Sequence, residues 1–242
     1  MTEASQKIND GVSTGVVSFG GGHTAATGGA QGFLAHPEDG KPHPGVILIQ
    51  EWWGIEPHIK DLAARLARAG YVVLAPDLYH GKVATEPNEA QKARMALDSQ
   101  QAAGEILDGV EYLIGRGDVA PKRVGVVGFC MGGFLTWLIA EMGRDDVAAV
   151  APFYGAGFQP TPSSIAGIKA PVLAVWGEQD QSIPAAARDQ IVNLLRQEGK
   201  NVRALVYPAG HAFMNDQHAS YDAQAASEAW SELLAWFKRY LG

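Results

Sequence analysis

The chain has 242 residues, of which 47% are hydrophobic and 19% charged, and its formal net charge is −7. This composition is that of a globular protein, and the acidic balance argues against a nucleic-acid partner, because such partners favour a basic surface. The single cysteine excludes an internal disulfide. The N-terminal MTEASQKIND lacks the apolar core of a secretory signal. No apolar run approaches the roughly 20 residues of a membrane helix. We therefore expect a cytoplasmic protein with no membrane partner.

Short apolar runs alternate along the chain with patterns typical of helices. Residues 10–35 predict two short strands joined by a glycine-rich turn, an antiparallel hairpin at a sheet edge. Within this stretch, GGGH precedes no helix and lacks the lysine of a phosphate-binding loop, so it is interpreted as a turn. Six further strands are predicted from nearly continuous apolar runs at residues 45–50, 71–76, 123–129, 147–154, 171–177 and 202–208.

Helical patterns occupy intervals between these strands. Residues 57–69 repeat apolar side chains every three to four positions before Gly70, a typical C-terminal stop, and the end of the chain carries one long apolar stripe. Residues 80–100 predict a loop and a helix over the mouth of the sheet. The alternation predicts an α/β fold with a mostly parallel sheet of about eight strands, in one domain over residues 12–242 after an N-terminal tail at 1–11.

The sole cysteine, Cys130, stands in GFCMG between a predicted strand and a segment compatible with a helix. Glycines two positions before and after a nucleophile are typical of the strained strand-to-helix turn called the nucleophile elbow, where side chains would collide. The turn exposes the sulfur at a helix N-terminus, whose dipole favours thiolate over thiol. We therefore predict that Cys130 is a nucleophile rather than a buried structural thiol.

A nucleophile at such a turn needs an acid and a histidine, which follow it in that order along the chain. His211 comes shortly after the last predicted strand, whereas His218 lies among polar residues and is predicted to be solvated. Asp180, after the preceding strand, is the favoured acid, with Glu178 as the second choice and Asp216 as the third.

Five segments together resemble the dienelactone hydrolase family of the α/β-hydrolase superfamily. They are QEWWG (50–54), APDLY (75–79), VGVVGFCMGG (124–133), GEQD (177–180) and AGHAF (209–213), and the resemblance extends over about residues 12–242. It implies the α/β-hydrolase fold, a three-layer αβα sandwich. It also implies a catalytic triad of Cys130, His211 and Asp180.

The resemblance implies further roles at the start of QEWWG. Glu51 is expected to activate the nucleophile, pairing with the neutral thiol until substrate displaces it. The backbone N–H groups of Trp52 and Met131 are expected to form the oxyanion hole. Attack of the sulfur on an ester or lactone carbonyl would then give a thioester that water hydrolyses. No cofactor is required, and the scattered histidines show no metal-ligand spacing, so no metal is expected.

The sequence departs from the family where the substrate carboxylate is held. Dienelactone hydrolases have an arginine four residues after the catalytic histidine, where this chain has Asn215, and Ala212 stands where a serine is frequent. Arg94 or Lys92 could serve as the second cation of the pocket. Apolar candidates for its rim are Trp52, Trp53, Tyr79, Tyr154, Phe213 and Met214. We therefore expect neutral aryl or short acyl esters rather than dienelactone as the main substrates.

The leading hypothesis is a cysteine hydrolase of small esters or lactones, acting as a monomer or homodimer. Alternatives that use the same triad are a thioesterase or acyltransferase, and a promiscuous hydrolase of aryl esters or phosphotriesters. A non-catalytic member of the fold that binds a small ligand is a third possibility. The complete set of nucleophile, base and acid argues against that third interpretation.

Overall fold

The structure, a computed structural model, describes residues 6–8, 11–25 and 28–242. The described residues form nine strands and seven helices. The chain divides into two compact units, Met1–Gly125 and Val126–Gly242. One strand, β6 (Val119–Phe129), contains the boundary between them.

The first unit contains the predicted hairpin, preceded in the chain by one further strand. The strands of this unit are β1 (Gln6–Ile8), β2 (Val12–Phe19), β3 (Ala30–Pro37), β4 (His43–Ile49), β5 (Val72–Pro76) and the start of β6. In the sheet they lie in the order β1-β2-β3-β5-β4-β6. β2 and β3 pair antiparallel as predicted, but β1 pairs outside β2 and β3 pairs with β5. The expectation that the hairpin forms the sheet edge is therefore wrong. β4 and β5 are parallel.

The extra strand, β1, falls inside the segment predicted as an N-terminal tail. It accounts for the difference between the nine strands found and the eight expected. Residues 1–5 and 9–10 of the predicted tail lie outside the described residues.

Three helices belong to the first unit: α1 (Pro57–Arg68), α2 (Pro87–Ala96) and α3 (Ser99–Gly115). α1 buries its leucines Leu62 and Leu66, and the chain leaves the helix through Gly70, whose φ of 93° is costly for other residues. Asp98 caps the start of α3: its carboxylate accepts the N–H groups of Gln100 and Gln101 at 2.8 and 3.0 Å.

The GGGH segment forms a turn, as predicted, and α3 holds it in place. Asp108 of α3 is fully buried. Its Oδ2 accepts the N–H groups of Gly21 and Thr24 at 3.0 and 2.8 Å and the Thr24 hydroxyl at 2.6 Å. Burial favours the neutral acid, but these hydrogen bonds outweigh it and hold the pKa of Asp108 below its usual 3.8. The backbone N–H groups of Gly21 and Thr24, which could have bound an anion, thus donate to the Asp108 carboxylate instead.

The second unit continues β6 with β7 (Val147–Phe153), β8 (Val172–Gly177) and β9 (Val202–Tyr207), in the order β6-β7-β8-β9. β7, β8 and β9 are parallel, and every residue of β7 and β8 is buried, as their continuous apolar sequences predict. The helices are α4 (Met131–Glu141), α5 (Pro162–Gly167), α6 (Ala185–Gln197) and α7 (Ala223–Leu241). Both α4 and α7 pack against β7.

The predicted α/β class with a mostly parallel sheet is confirmed. Within the part of the chain that the structure describes, no helix combines the length and the apolar character needed to cross a bilayer.

Candidate active site

Cys130 occupies the sharp turn between β6 and α4. Its φ of 54° and ψ of −113° lie in a region that residues other than glycine rarely adopt. The backbone on both sides fixes this conformation: the Cys130 N–H donates to the Phe153 carbonyl at 3.1 Å, and its own carbonyl accepts the Phe134 N–H at 3.1 Å. The side chain is half-buried, so the thiol is accessible rather than enclosed in the core.

Glycines around the turn permit this close packing. A Cβ added to Gly128 would lie 2.1 Å from the Gly132 carbonyl oxygen and 2.5 Å from Thr136 Oγ1. A Cβ on Gly133 would lie 2.2 Å from the Phe153 carbonyl oxygen. Side chains are therefore excluded where β6, α4 and the end of β7 meet, which is the physical reason for the glycine-flanked cysteine.

His211 links the thiol to a carboxylate. Its Nε2 lies 3.1 Å from Cys130 Sγ, and its Nδ1 lies 2.6 Å from Asp180 Oδ2. The imidazole is 32% exposed, whereas the Asp180 side chain is 1% exposed. The three groups, distant in sequence, thus form a continuous chain of contacts that ends at an accessible sulfur.

The loop after β8 distinguishes the candidate acids. Asp180 is buried and faces His211, while Glu178, the second choice, is exposed. Burial favours the neutral acid, but hydrogen bonds from His211 and Ser182 outweigh it and hold the pKa of Asp180 below its usual 3.8. Asp180 is therefore a carboxylate that can hold a charged imidazole.

The same contacts raise the pKa of His211. Burial disfavours the imidazolium, but hydrogen bonds to Asp180 and Cys130, together with their charges, raise the pKa of His211 from 6.5 to about 10. Contact with the buried Asp180 carboxylate thus favours the protonated form of the imidazole.

The acid loop (residues 178–184, between β8 and α6) and the histidine loop (residues 208–222, between β9 and α7) are joined directly. The Glu178 N–H donates to the Tyr207 carbonyl at 2.7 Å, and the Gln179 N–H donates to the Ala209 carbonyl at 3.0 Å. Gly177 allows this approach, because a Cβ there would lie 2.4 Å from the Ala209 carbonyl oxygen. The positions of acid and base are consequently coupled through the backbone.

Comparison with known proteins identifies the family. A sequence model of the dienelactone hydrolase family matches residues 30–241. The chain belongs to this family. A Methylorubrum extorquens protein named as a putative carboxymethylenebutenolidase is 37% identical over 222 residues, covering 86% of this chain and 76% of that protein.

Solved structures agree with the family assignment. A putative dienelactone hydrolase from Klebsiella pneumoniae is 29% identical with a TM-score of 0.84, covering 95% of this chain and 99% of that one. A dienelactone hydrolase-like promiscuous phosphotriesterase from metagenomic libraries, 21% identical, shares the fold with a TM-score of 0.82 and the same coverage. This dienelactone hydrolase family member has the α/β-hydrolase fold and is a hydrolase that acts on ester bonds.

Several predicted substrate contacts in this family member lie beneath the surface. Tyr154, Phe213 and Asn215 have no exposed surface. The Tyr154 ring lies edge-on to the rings of His211 and Phe213, with centroids 5.2 and 5.5 Å away, and so supports the imidazole from below. These three side chains are fully buried in the structure, and direct contact with substrate stays a prediction for each of them.

Asn215 has a local structural role. Its Oδ1 accepts the Gln217 N–H at 3.0 Å within the loop that follows His211. Ala212, in the same loop, has a φ of 58°, another strained position beside the imidazole.

His218 is half-buried and its Nε2 is buried, so the prediction that it is solvated is wrong in part.

Predicted site residues of the QEWWG segment belong to the first unit. Glu51 is 1% exposed and lies just beyond the end of β4. Trp52 and Trp53 are half-buried and contact each other edge-on, with ring centroids 5.2 Å apart. The Trp53 carbonyl accepts the Ala84 N–H at 2.9 Å, which ties this segment to the loop after β5.

The remaining candidates differ in exposure. Tyr79 is buried after β5, whereas Lys92 and Arg94 are both exposed on α2. Among the described side chains, no group of three histidine, cysteine, aspartate or glutamate residues is arranged to hold a metal ion.

Sequence reasoning missed two residues that hold the acid loop in place. Ser182 donates to Asp180, and Arg188 of α6 is buried and donates to the Gly177 carbonyl at 2.7 Å. The sequence signal for Ser182 was its place two residues after the acid, where a short polar side chain commonly closes a turn.

Proposed function

We propose that this protein hydrolyses small carboxylic esters or lactones with Cys130 as nucleophile, His211 as base and Asp180 as the orienting acid. The proposal depends on one observation, the two contacts of 3.1 Å and 2.6 Å that connect an accessible Sγ through the imidazole to a buried carboxylate. A nucleophile, a base and a third group within hydrogen-bond distance are what nucleophilic acyl transfer requires.

In the first half-reaction His211 accepts the thiol proton at Nε2 and Asp180 holds its Nδ1–H. The sulfur adds to the carbonyl carbon, and the resulting oxyanion accepts the N–H of Met131, the first residue of α4. Collapse breaks the ester C–O bond, the imidazolium gives its proton to the leaving oxygen, and a thioester remains on Cys130.

In the second half-reaction a water molecule replaces the leaving group. His211, now neutral, removes a proton from the water as its oxygen attacks the thioester carbonyl. The C–S bond breaks, the thiolate returns beside the imidazolium, and the carboxylic acid product leaves. Asp180 acts in both halves by keeping Nε2 directed at the reacting atoms.

Two further roles come from the family resemblance and stay proposals. Glu51 would activate the thiol, and the Trp52 N–H would be the second oxyanion donor. A cytoplasmic location fits a lone cysteine that must remain reduced to act as nucleophile.

We propose neutral aryl or short acyl esters as the preferred substrates. The buried Asn215 offers no cation where dienelactone hydrolases have an arginine, so a carboxylate-bearing lactone would lack one of its bidentate partners. Of the predicted pocket side chains, Trp53, Tyr79 and Arg94 remain candidates for substrate contact.

The experiment is turnover of p-nitrophenyl acetate with acid quenching and mass spectrometry. The wild-type protein should carry an acetyl group on the peptide that contains Cys130. Cys130→Ala should show no adduct and should lose activity by about 1000-fold or more. Wild-type turnover by Cys130→Ala would overturn the proposal.

A substrate panel then separates the proposed class from its alternatives. A neutral aryl ester, a carboxylate-bearing lactone, an acyl-CoA and a phosphotriester should be compared by kcat/KM. The neutral ester should rank first. A preference for acyl-CoA or for phosphotriester would replace the proposed substrate class while leaving the nucleophile in place.

A further inference from the structure

We propose that Ser182 is a positioning residue of this hydrolase, whose hydroxyl fixes the Asp180 carboxylate so that one oxygen stays directed at His211 Nδ1. The inference rests on the proposed function, since it assigns Ser182 a role in holding the base. It concerns a side chain that acts through another residue and does not touch the reacting atoms.

Asp180 uses its two oxygens for different partners. Oδ1 accepts the Ser182 hydroxyl at 2.6 Å and the Ser182 N–H at 2.9 Å, whereas Oδ2 accepts His211 Nδ1 at 2.6 Å. Two donors on one oxygen prevent rotation of the carboxylate about its Cβ–Cγ bond. The other oxygen is therefore held in the direction that the imidazole requires.

The hydroxyl also faces the imidazole. Ser182 Oγ lies 3.4 Å from His211 Nδ1, while its proton is directed to Asp180. An ionised carboxylate only accepts hydrogen bonds, and both nitrogens of an imidazolium only donate. The lone pairs of Oγ thus face Nδ1–H, so the hydroxyl interacts favourably with both ions of the pair.

The backbone holds Ser182 in this place. Arg188 Nη1 donates to the carbonyl of Gly177 at 2.7 Å and to that of Ile183 at 3.3 Å, which ties together the two ends of the acid loop. Three charged side chains accompany Asp180 here: His211 is its hydrogen-bonded partner, Glu178 is exposed, and Arg188 donates to carbonyl groups.

The experiment compares Ser182→Ala with the shape-matched pair Ser182→Thr and Ser182→Val. Thr and Val have nearly the same shape, and only Thr keeps the hydroxyl. Ser182→Ala and Ser182→Val should each lower kcat about tenfold with KM within about twofold, a change equivalent to about 1.4 kcal/mol. Ser182→Thr should recover most of the loss. Ser231→Ala, which removes an exposed hydroxyl from α7, is the control and should match the wild type.

The pH profile of kcat/KM supplies a measurement that a purely structural role would not change. The hydroxyl favours the charged form of Asp180, so its removal raises the pKa of that carboxyl and should move the acidic limb to higher pH. If Ser182→Ala does not fold, the Thr and Val variants carry the comparison.

The outcomes separate this inference from the proposed function. Equal kcat values and identical pH limbs for Thr and Val at position 182 would overturn the role of the hydroxyl. So would a loss of activity that Thr does not restore. If Cys130→Ala keeps wild-type turnover, the proposed function itself fails, whatever the Ser182 variants show.

Discussion

Gly128→Ala tests whether close packing at the strand-to-helix turn positions Cys130, the proposed nucleophile. The substitution adds one methyl group two residues before Cys130. In the structure this methyl group would meet the carbonyl oxygen of Gly132 at 2.1 Å, whereas ordinary contacts begin at 3.4 Å. The shortfall is 1.3 Å, and the opposing atom belongs to the backbone of α4 and cannot rotate away.

The expected loss of activity follows from the displacement of the first turn of α4. The first turn of α4 has to shift by about 1 Å, and Cys130, which starts that turn, has to shift with it, so its 3.1 Å contact with His211 opens. A misplacement of about 1 Å at a reacting group costs roughly 100-fold in rate. Overpacking of this kind also costs about 1–3 kcal/mol of folding free energy.

The assay is kcat/KM on p-nitrophenyl acetate, with urea unfolding measured in parallel. The matched control is Gly115→Ala, at the end of α3, where an added Cβ would meet nothing within 4 Å. We expect the control to keep wild-type activity and stability. Activity of Gly128→Ala within about threefold of the wild type would refute the argument that this packing positions the sulfur.

Two further predictions concern the charged groups. Asp180→Asn should lower kcat by about 1000-fold or more, because an amide neither stabilises the imidazolium nor enforces its orientation. Glu178→Gln, at an exposed position of the same loop, should change kcat by less than about twofold. Equal effects of the two variants on kcat would contradict the choice of Asp180 as the acid. Because the pKa of His211 is raised from 6.5 to about 10, the stability it contributes is complete below pH 6.5 and is lost as the pH rises toward 10. The difference in unfolding free energy between the wild type and His211→Gln, measured with urea at several pH values, should shrink over that range, and a constant difference would count against the raised pKa.

The sequence predicts most strands within a few residues because continuous apolar runs and buried strands coincide. β8, predicted at 171–177, spans Val172–Gly177. β6 begins four residues before the predicted strand at 123–129, since residues 120–122 are exposed and form no continuous apolar run. The sequence therefore predicts strands through their burial, and it fails where a strand continues into solvent.

Helix α3 was not predicted because glycine interrupts its pattern. Its sequence contains Gly104 and Gly109, each unfavourable in a helix by about 1 kcal/mol. A Cβ at Gly109 would lie 3.2 Å from the Leu74 side chain, and one at Gly104 would lie 3.0 Å from His23. A side chain at either position would force its neighbour to move by a few tenths of an ångström, and such contacts are visible only after the fold is known.

For the candidate site, the sequence identified the residue types but not their surroundings. The elbow motif singled out Cys130, and the chain order left few choices for acid and base. The burial of Phe213 and Tyr154 could not be predicted, because an aromatic residue near an active site has the same sequence signature whether it lines the pocket or supports it from below.

Strand register explains why acid and base meet across 31 residues of sequence. Gly177 and Tyr207 are paired at the ends of the parallel strands β8 and β9, and Asp180 and His211 follow them by three and four residues. A slip of one residue in β9 would move the imidazole by about 3.3 Å and break a 2.6 Å contact with the carboxylate. Such a slip would also move the side chains of β9 to the opposite faces of the sheet and turn the buried Tyr207 out of its place. The packing of two strands thus sets the geometry of a polar contact that neither loop could fix alone.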